Sequence, residues 1–196
     1  LRRQRQMCIR DSSNPRFIPH IEAYRYLKSR GITDEMIEKY NIGYTVSGDF
    51  AYRIIVPSYN KEGVLNYFVA RAWVPKKMKY KNPTVPKDEI IFNEGLIDWK
   101  KDVYLVEGAF DGFFLDNPLV MLGKKMSKLQ FETLYNNAEG NIVICTDGDA
   151  WDDGIKIYHE LNGGKLYNKI KIVKLPKDKD ICDLKGQIGE YYHEIR

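Results

Sequence analysis

The sequence predicts an α/β protein, with a parallel-sheet βαβ domain preceded by a smaller, basic α+β subdomain. Three features point there. From Asp102 onward, short apolar runs alternate with helical patterns, which is the grammar of βαβ units. Before that point, two short helical patterns lead into two strand-like runs joined by a turn. The middle of the chain is basic and a later stretch is acidic.

Between His20 and Arg30 the apolar positions Ile21, Tyr24 and Leu27, with Ala23 and Tyr26, recur at helical spacing, and Gly31 supplies a stop. Thr33 can cap a second short helix. Asp34 and Glu35 suit its first turn, and Met36, Ile37 and Tyr40 form its buried face. Tyr52 to Pro57 and Val64 to Ala70 read as strands, and Asn60-Lys61-Glu62-Gly63 between them predicts a hairpin. Pro75 to Pro86, rich in lysine and proline, reads as a surface loop.

The second half opens with the apolar run Val103-Tyr104-Leu105-Val106, then Glu107-Gly108 and a helix over Ala109 to Leu115. Leu119 to Leu122 is a strand ending at Gly123, and Ser127 can cap a helix reaching about Asn136. Asn141 to Thr146 is a further strand, ending at Asp147-Gly148-Asp149; a helix over Asp152 to Leu161 and a last strand over Lys169 to Leu175 follow. These elements divide the chain into an N-terminal subdomain over 13–100, a βαβ domain over 101–184 and a helical extension over 185–196.

Residues 1–12 stand apart: they are basic and aperiodic, and they lead into the breaker pair Asn14-Pro15. Met7-Cys8-Ile9-Arg10-Asp11 also resembles the translation of a common transposon-type sequencing adaptor. The expectation is an assembly artefact, with a basic disordered arm as the alternative. On the artefact reading, native sequence upstream of Ser13 is missing.

The chain has 196 residues, 43% of them apolar and 30% charged, as ordinary soluble globular proteins do. No apolar run is long enough to span a membrane and no signal-peptide pattern opens the chain, so a cytoplasmic location is expected by default. Cys8, Cys145 and Cys182 lie far apart, without the paired spacing of a zinc ribbon or the density of a secreted disulfide scaffold. Cys145, inside an apolar run, reads as a buried small hydrophobe. The formal net charge of +4 says less than its distribution. Lys76, Lys77, Lys79 and Lys81 with Arg53 and Arg71 offer a seat for a polyanion, and Asp147, Asp149, Asp152 and Asp153 offer one for a cation.

Both acidic motifs directly follow predicted strands. Ligands of open α/β sheets bind at the carboxyl ends of strands, so Glu107 and the Asp147/Asp149 pair are expected to converge. Gly148 lets the backbone turn between the two aspartates, and a side chain there would crowd the turn. A hard divalent cation, Mg²⁺ or Mn²⁺, is the simplest way to neutralise such a cluster. An isolated Asp-Gly-Asp is, by itself, better explained by an acidic turn.

In its ordered company the motif means more. Strand–Glu-Gly, helix, strand, helix, strand–Asp-x-Asp resembles the TOPRIM domain of primases, topoisomerases and related nucleases, over roughly Asp102 to Leu184. Asp111 follows Glu107 by four residues, the spacing at which primases of this group carry a further acid. The first half is similar to the RNA-polymerase domain of bacterial DnaG-type primases. The similarity lies in Tyr24 with Arg30-Gly31-Ile32, Ile42-Gly43-Tyr44, Arg53-Ile54-Ile55-Val56-Pro57, and Gly63-Val64 through Arg71. It continues in Lys79-Tyr80-Lys81-Asn82-Pro83 and Phe92-Asn93-Glu94-Gly95, so the resemblance runs from Ile21 to Leu184.

The resemblance implies synthesis of short RNA primers on a single-stranded DNA template from ribonucleoside triphosphates, with a replicative helicase as partner. Glu107, Asp147 and Asp149 would hold the catalytic metal, with Asp111 close by and Asp180 as another acid of the site. Arg53, Arg71, Lys79 and Asn82 would line a basic groove touching template backbone or incoming triphosphate. Tyr80, with Tyr67, Phe68 and Trp73, is interleaved with those basic residues as stacking platforms are, although core packing suits Phe68 better. Three departures stand out. Cys182 occupies the place of a second acid after Asp180, with Asp183 one step on; Asn93-Glu94 stands where a lysine is common; and the zinc ribbon is absent from the chain. A TOPRIM nuclease using the same acids, or a degenerate module that only binds nucleic acid, are the alternatives. A phage or other mobile element is one source compatible with the sequence.

Gly123-Lys124-Lys125 lacks the pattern of a P-loop, but a glycine at a strand end with lysines behind it can place Lys124 on a phosphate. His20, His159 and His193 stand singly and suit surface or capping roles, and Trp99 and Trp151 suit packing.

Overall fold

The structure is a computed structural model and describes residues 18–194. Residues 1–12, with their two readings, lie outside the described part. The described residues form two compact units, 18–58 with Leu65–Val85, and Tyr59–Val64 with 86–194.

The first unit begins with helix α1 (Ile18–Ser29). Ala23 and Leu27 are buried, whereas Tyr24 lies outside, its hydroxyl donating to Asp34 Oδ1 at 3.0 Å. Gly31 adopts φ +80° as the helix ends, a left-handed stop that suits glycine. Helix α2 (Asp34–Lys39) starts as its residues predict: Thr33 Oγ1 accepts from the Met36 N–H at 3.2 Å. A three-stranded sheet follows in the order β1 (Gly43–Thr45), β2 (Arg53–Tyr59), β3 (Leu65–Ala72), with β1 antiparallel to β2. The predicted loop after β3 is fastened at its far end. Ala72 N–H donates to Lys79 O and Lys81 N–H to Ala70 O, each at 2.9 Å. These bonds flank an antiparallel bridge between Arg71 and Tyr80.

The second unit is built on a five-stranded sheet in the order β5 (Pro118–Val120), β4 (Val103–Val106), β6 (Ile142–Cys145), β7 (Ile170–Val173), β8 (Tyr192–His193). β5, β4, β6 and β7 run parallel, and β8 pairs antiparallel with β7. Every residue of β6 is buried, as a strand covered on both faces should be. Helices α3 (Ala109–Gly112), α4 (Lys128–Asn137) and α5 (Trp151–Leu161) connect the strands. The core contains Val103, Leu105, Leu119, Leu134, Ile142, Ile144, Ile157, Leu161 and Ile172, with Trp99 and Trp151 packed against it. Each buried aliphatic side chain of this kind contributes about 1.5–3 kcal/mol on leaving water.

Helix α4 begins with a capping box. Ser127 Oγ accepts from Gln130 N–H at 3.1 Å and Gln130 Oε1 accepts from Ser127 N–H at 2.9 Å. Gln130 Nε2 also donates to Val120 O at 3.2 Å, joining the helix start to the end of β5.

Two regions differ from the sequence reading. Residues 86–100 go with the second unit, not the first. Ile97 and Trp99 pack on its core, and Asn93 Oδ1 accepts from Tyr59 N–H at 3.1 Å. The predicted helical extension over 185–196 contains a 3-10 turn (Gly189–Tyr191) and strand β8 in its described part. An edge position on β7 was open there, and pairing satisfies backbone groups that a helix would have satisfied internally. Among the described residues, no helix is long and apolar enough to cross a membrane.

Candidate metal centre

Parallel pairing brings the acids together. Val106 stands beside Cys145 in register, so the residues that leave β4 and β6 emerge side by side. Glu107 follows β4 directly. Its Oε1 accepts the backbone N–H of Asp147 at 3.1 Å. The end of β5 joins them: Gly123 N–H donates to Glu107 O at 3.1 Å.

Asp111 enters from the first turn of α3 and is buried. A Cβ on Gly108 would stand 2.7 Å from Asp111 Oδ2, so a side chain at the second place of Glu-Gly-x-x-Asp would press on the Asp111 carboxylate. Asp111 Oδ1 accepts from Cys182 N–H at 3.4 Å, which ties the 180–183 segment to the same corner. Asp180 is half-buried there, and its Oδ1 accepts from Asp183 N–H at 2.6 Å. Asp149 is exposed, with Lys124 Nζ 3.9 Å from its Oδ2.

Gly148 carries the turn between the aspartates by closeness more than by unusual torsion. Its N–H donates to Lys179 O at 2.9 Å, and a Cβ would collide with the Pro176 carbonyl. Gly154 plays a similar part in α5, where a Cβ would meet Thr146 Oγ1 at 2.8 Å.

Burial and like charge oppose ionisation at the centre of this group. Asp147 is pushed up to about 7, first by burial and then by Asp111, Glu107, Asp180 and Asp149. Burial likewise raises Glu107, against the pull of the Asp147 N–H and of Lys124. The structure thus brings all five expected acids into one field. Hard carboxylate oxygens whose mutual repulsion is relieved by positive charge are a donor set suited to a divalent cation such as Mg²⁺. Among the described residues, no three His, Cys, Asp or Glu side chains stand close enough together to hold an ion as placed. At the place where the resemblance departs from the family, Cys182 is buried and carries no side-chain oxygen, and Asp183, one step on, is exposed.

The basic residues of the first unit divide by burial. Arg53, expected to line a groove, is only 3% exposed, and burial lowers its pKa. Its guanidinium donates to Ala70 O (3.2 Å), Lys79 O (3.0 Å) and Met78 O (2.8 Å). Arg71 is also buried and donates to the hydroxyls of Tyr26 and Tyr80. Lys79 and Asn82 are exposed, and Asn82 Oδ1 accepts from Ala70 N–H at 3.4 Å. Of the interleaved aromatics, Tyr67 and Phe68 belong to the core, Trp73 is half-buried and Tyr80 is exposed.

Lys87 escaped the sequence reading. Its Nζ donates to Leu122 O at 2.9 Å and supports the bend after β5, where Leu122 has φ +58°. Its partner lies too far along the chain for any local signal to link the two.

No protein-family model and no curated protein matches the chain. Among solved structures, the E. coli primase catalytic core is similar with a TM-score of 0.72 at 19% identity, covering 92% of this chain and 74% of that one. A DnaG primase catalytic domain bound to single-stranded DNA gives 0.73 at 19%, covering 91% and 70%. The zinc-binding and RNA-polymerase domains of the Aquifex aeolicus primase give 0.70 at 24%, covering 86% of this chain and 53% of that one. The chain therefore spans about half of the Aquifex structure and has the fold of the DnaG catalytic core.

Proposed function

We propose that the chain is a primase catalytic core that joins ribonucleotides into short RNA primers on a single-stranded DNA template. The observation that carries this is the junction of Glu107 and Asp147 at neighbouring parallel strand ends, bridged by the 3.1 Å bond, in a fold similar to primase catalytic cores.

Glu107, Asp147 and Asp149 are the residues that would hold a divalent cation, Mg²⁺ or Mn²⁺, and Asp111 and Asp180 would add to the negative field that draws it in. Bound there, such a cation would supply charge neutralisation to a triphosphate and a lowered pKa to an attacking hydroxyl. The chain's own residues position the reactants. The Asp147 N–H fixes one oxygen of Glu107, Gly148 keeps the turn tight, and Lys124 beside Asp149 offers a cation to phosphate. Lys79, Tyr80 and Asn82 contact template backbone or the incoming nucleotide, while Arg53 and Arg71 support the segment that presents them. Contacts of this kind hold template without reading sequence. A replicative helicase is the expected partner of such an enzyme.

The test is incubation with single-stranded DNA, Mg²⁺ or Mn²⁺ and labelled ribonucleoside triphosphates. Labelled oligoribonucleotides are the expected product. Template degradation without synthesis would replace the reading with a nuclease, and neither outcome would leave a nucleic-acid-binding module.

A further inference from the structure

The first unit carries a run of five aromatic rings that ends at an exposed tyrosine. Along it, Tyr24 stacks with His20 (6.4 Å between centroids), His20 meets Tyr44 (5.5 Å), Tyr44 meets Trp73 (5.9 Å) and Trp73 meets Tyr52 (5.9 Å). Each end has a lysine over its ring: Lys28 Nζ lies 5.2 Å from the Tyr24 centroid and Lys76 Nζ 5.4 Å from that of Tyr52.

The ends are not equivalent. Lys28 is paired with Asp34 at 2.8 Å, and the Tyr24 hydroxyl donates to the same carboxylate, so that end is satisfied internally. At the other end Tyr52 is 41% exposed and Lys76 is exposed, with Lys77 next in sequence. Tyr52 also has φ +59°, a conformation that bulky side chains rarely adopt and that clusters at binding sites. On the neighbouring ring, Trp73 Nε1 is buried without a hydrogen-bond partner among the described residues. Two unfavourable features thus meet at one exposed ring that a lysine approaches.

We infer that Tyr52, backed by Trp73 and flanked by Lys76, is a stacking platform for one unpaired base of single-stranded DNA, with Lys76 on the adjoining phosphate. Positive charge selects a polyanion, and an exposed ring edge-packed on a second ring is a rigid surface for a base face. Double-stranded DNA offers phosphates but no free base face, so the platform favours the single strand. This inference rests on the proposed primase reading and adds a template contact outside the acidic centre.

The experiment measures binding of an oligothymidylate, and of an abasic oligonucleotide of the same length, by anisotropy without metal or nucleotides. The proteins are the full chain and its Tyr52→Asn, Tyr52→Phe and Lys76→Ala variants. Asparagine tolerates positive φ, so Tyr52→Asn removes the ring without forcing the backbone. Expected is a loss of about tenfold for Tyr52→Asn on oligothymidylate, the scale of one base stack, with little change on the abasic strand and recovery in Tyr52→Phe. Lys76→Ala weakens both strands. Equal affinity of Tyr52→Asn and the unaltered chain for oligothymidylate overturns the platform and leaves the primase reading standing. Absence of any binding by the unaltered chain overturns both.

Discussion

The backbone N–H of Asp147 donates to Oε1 of Glu107 at 3.1 Å, although the two residues are 40 positions apart. One carboxylate oxygen is therefore oriented by the turn that carries the next two acids. Anything that moves that turn also moves Glu107.

Protonation of Asp147 should be visible as a pH dependence of stability in metal-free protein. Its pKa is about 7 in the fold against 3.8 ordinarily, so the folded state binds the proton more tightly than the unfolded chain. Its contribution is then fully present below about 4 and lost as pH rises through 7. Chelator-treated protein should melt at a lower temperature at pH 8 than at pH 5.5. Asp147→Asn should flatten that difference, and a melting profile of unchanged slope would remove burial of this carboxyl as its cause.

Gly148→Ala places a methyl group against the Pro176 carbonyl. Backbone must yield, at a cost of about 1–3 kcal/mol for overpacking of this kind. Urea unfolding should show the loss, and magnesium affinity by calorimetry should fall with it. Gly163→Ala, where a Cβ meets nothing within 4 Å, is the control.

Asp149→Asn and Glu107→Gln should abolish primer synthesis while leaving single-stranded DNA affinity within about twofold, because base-independent affinity comes from cationic contacts to phosphate. A gel-shift titration beside the synthesis assay separates the two. Parallel loss of template affinity would take these acids out of the metal-holding role.

Arg53→Ala should act on stability before it acts on binding. Its guanidinium serves three carbonyls, two of them in the 78–79 segment; Ala70 O and Lys79 O keep the Lys81 and Ala72 N–H donors, so removing it costs the three bonds to a buried charged donor, about 1–3 kcal/mol in all. Denaturant midpoints should fall for Arg53→Ala and stay near the original for Lys79→Ala, whose side chain is exposed. An unchanged midpoint in Arg53→Ala would restore it to the surface groove.

Helix starts and strand runs were legible because their causes are local. Thr33 and Ser127 cap the helices that their spacing predicts, and the runs at Val103 and Ile142 become the central strands. Strand β1 and strand β8 were not legible. At three and two residues they have no pattern of their own and exist because β2 and β7 offer edges to pair with.

The acids of the site belong to what the sequence by itself determined: an acid directly after each of two apolar runs, with glycine where the backbone must come close. Tertiary structure decided the roles of the cations. Arg53 and Lys79 look alike in one dimension, but burial turns the first inward onto carbonyls and leaves the second in water. The reason is physical. Strand-end placement follows from local hydrophobic pattern, whereas the side of the chain that faces solvent depends on which distant segment packs against it.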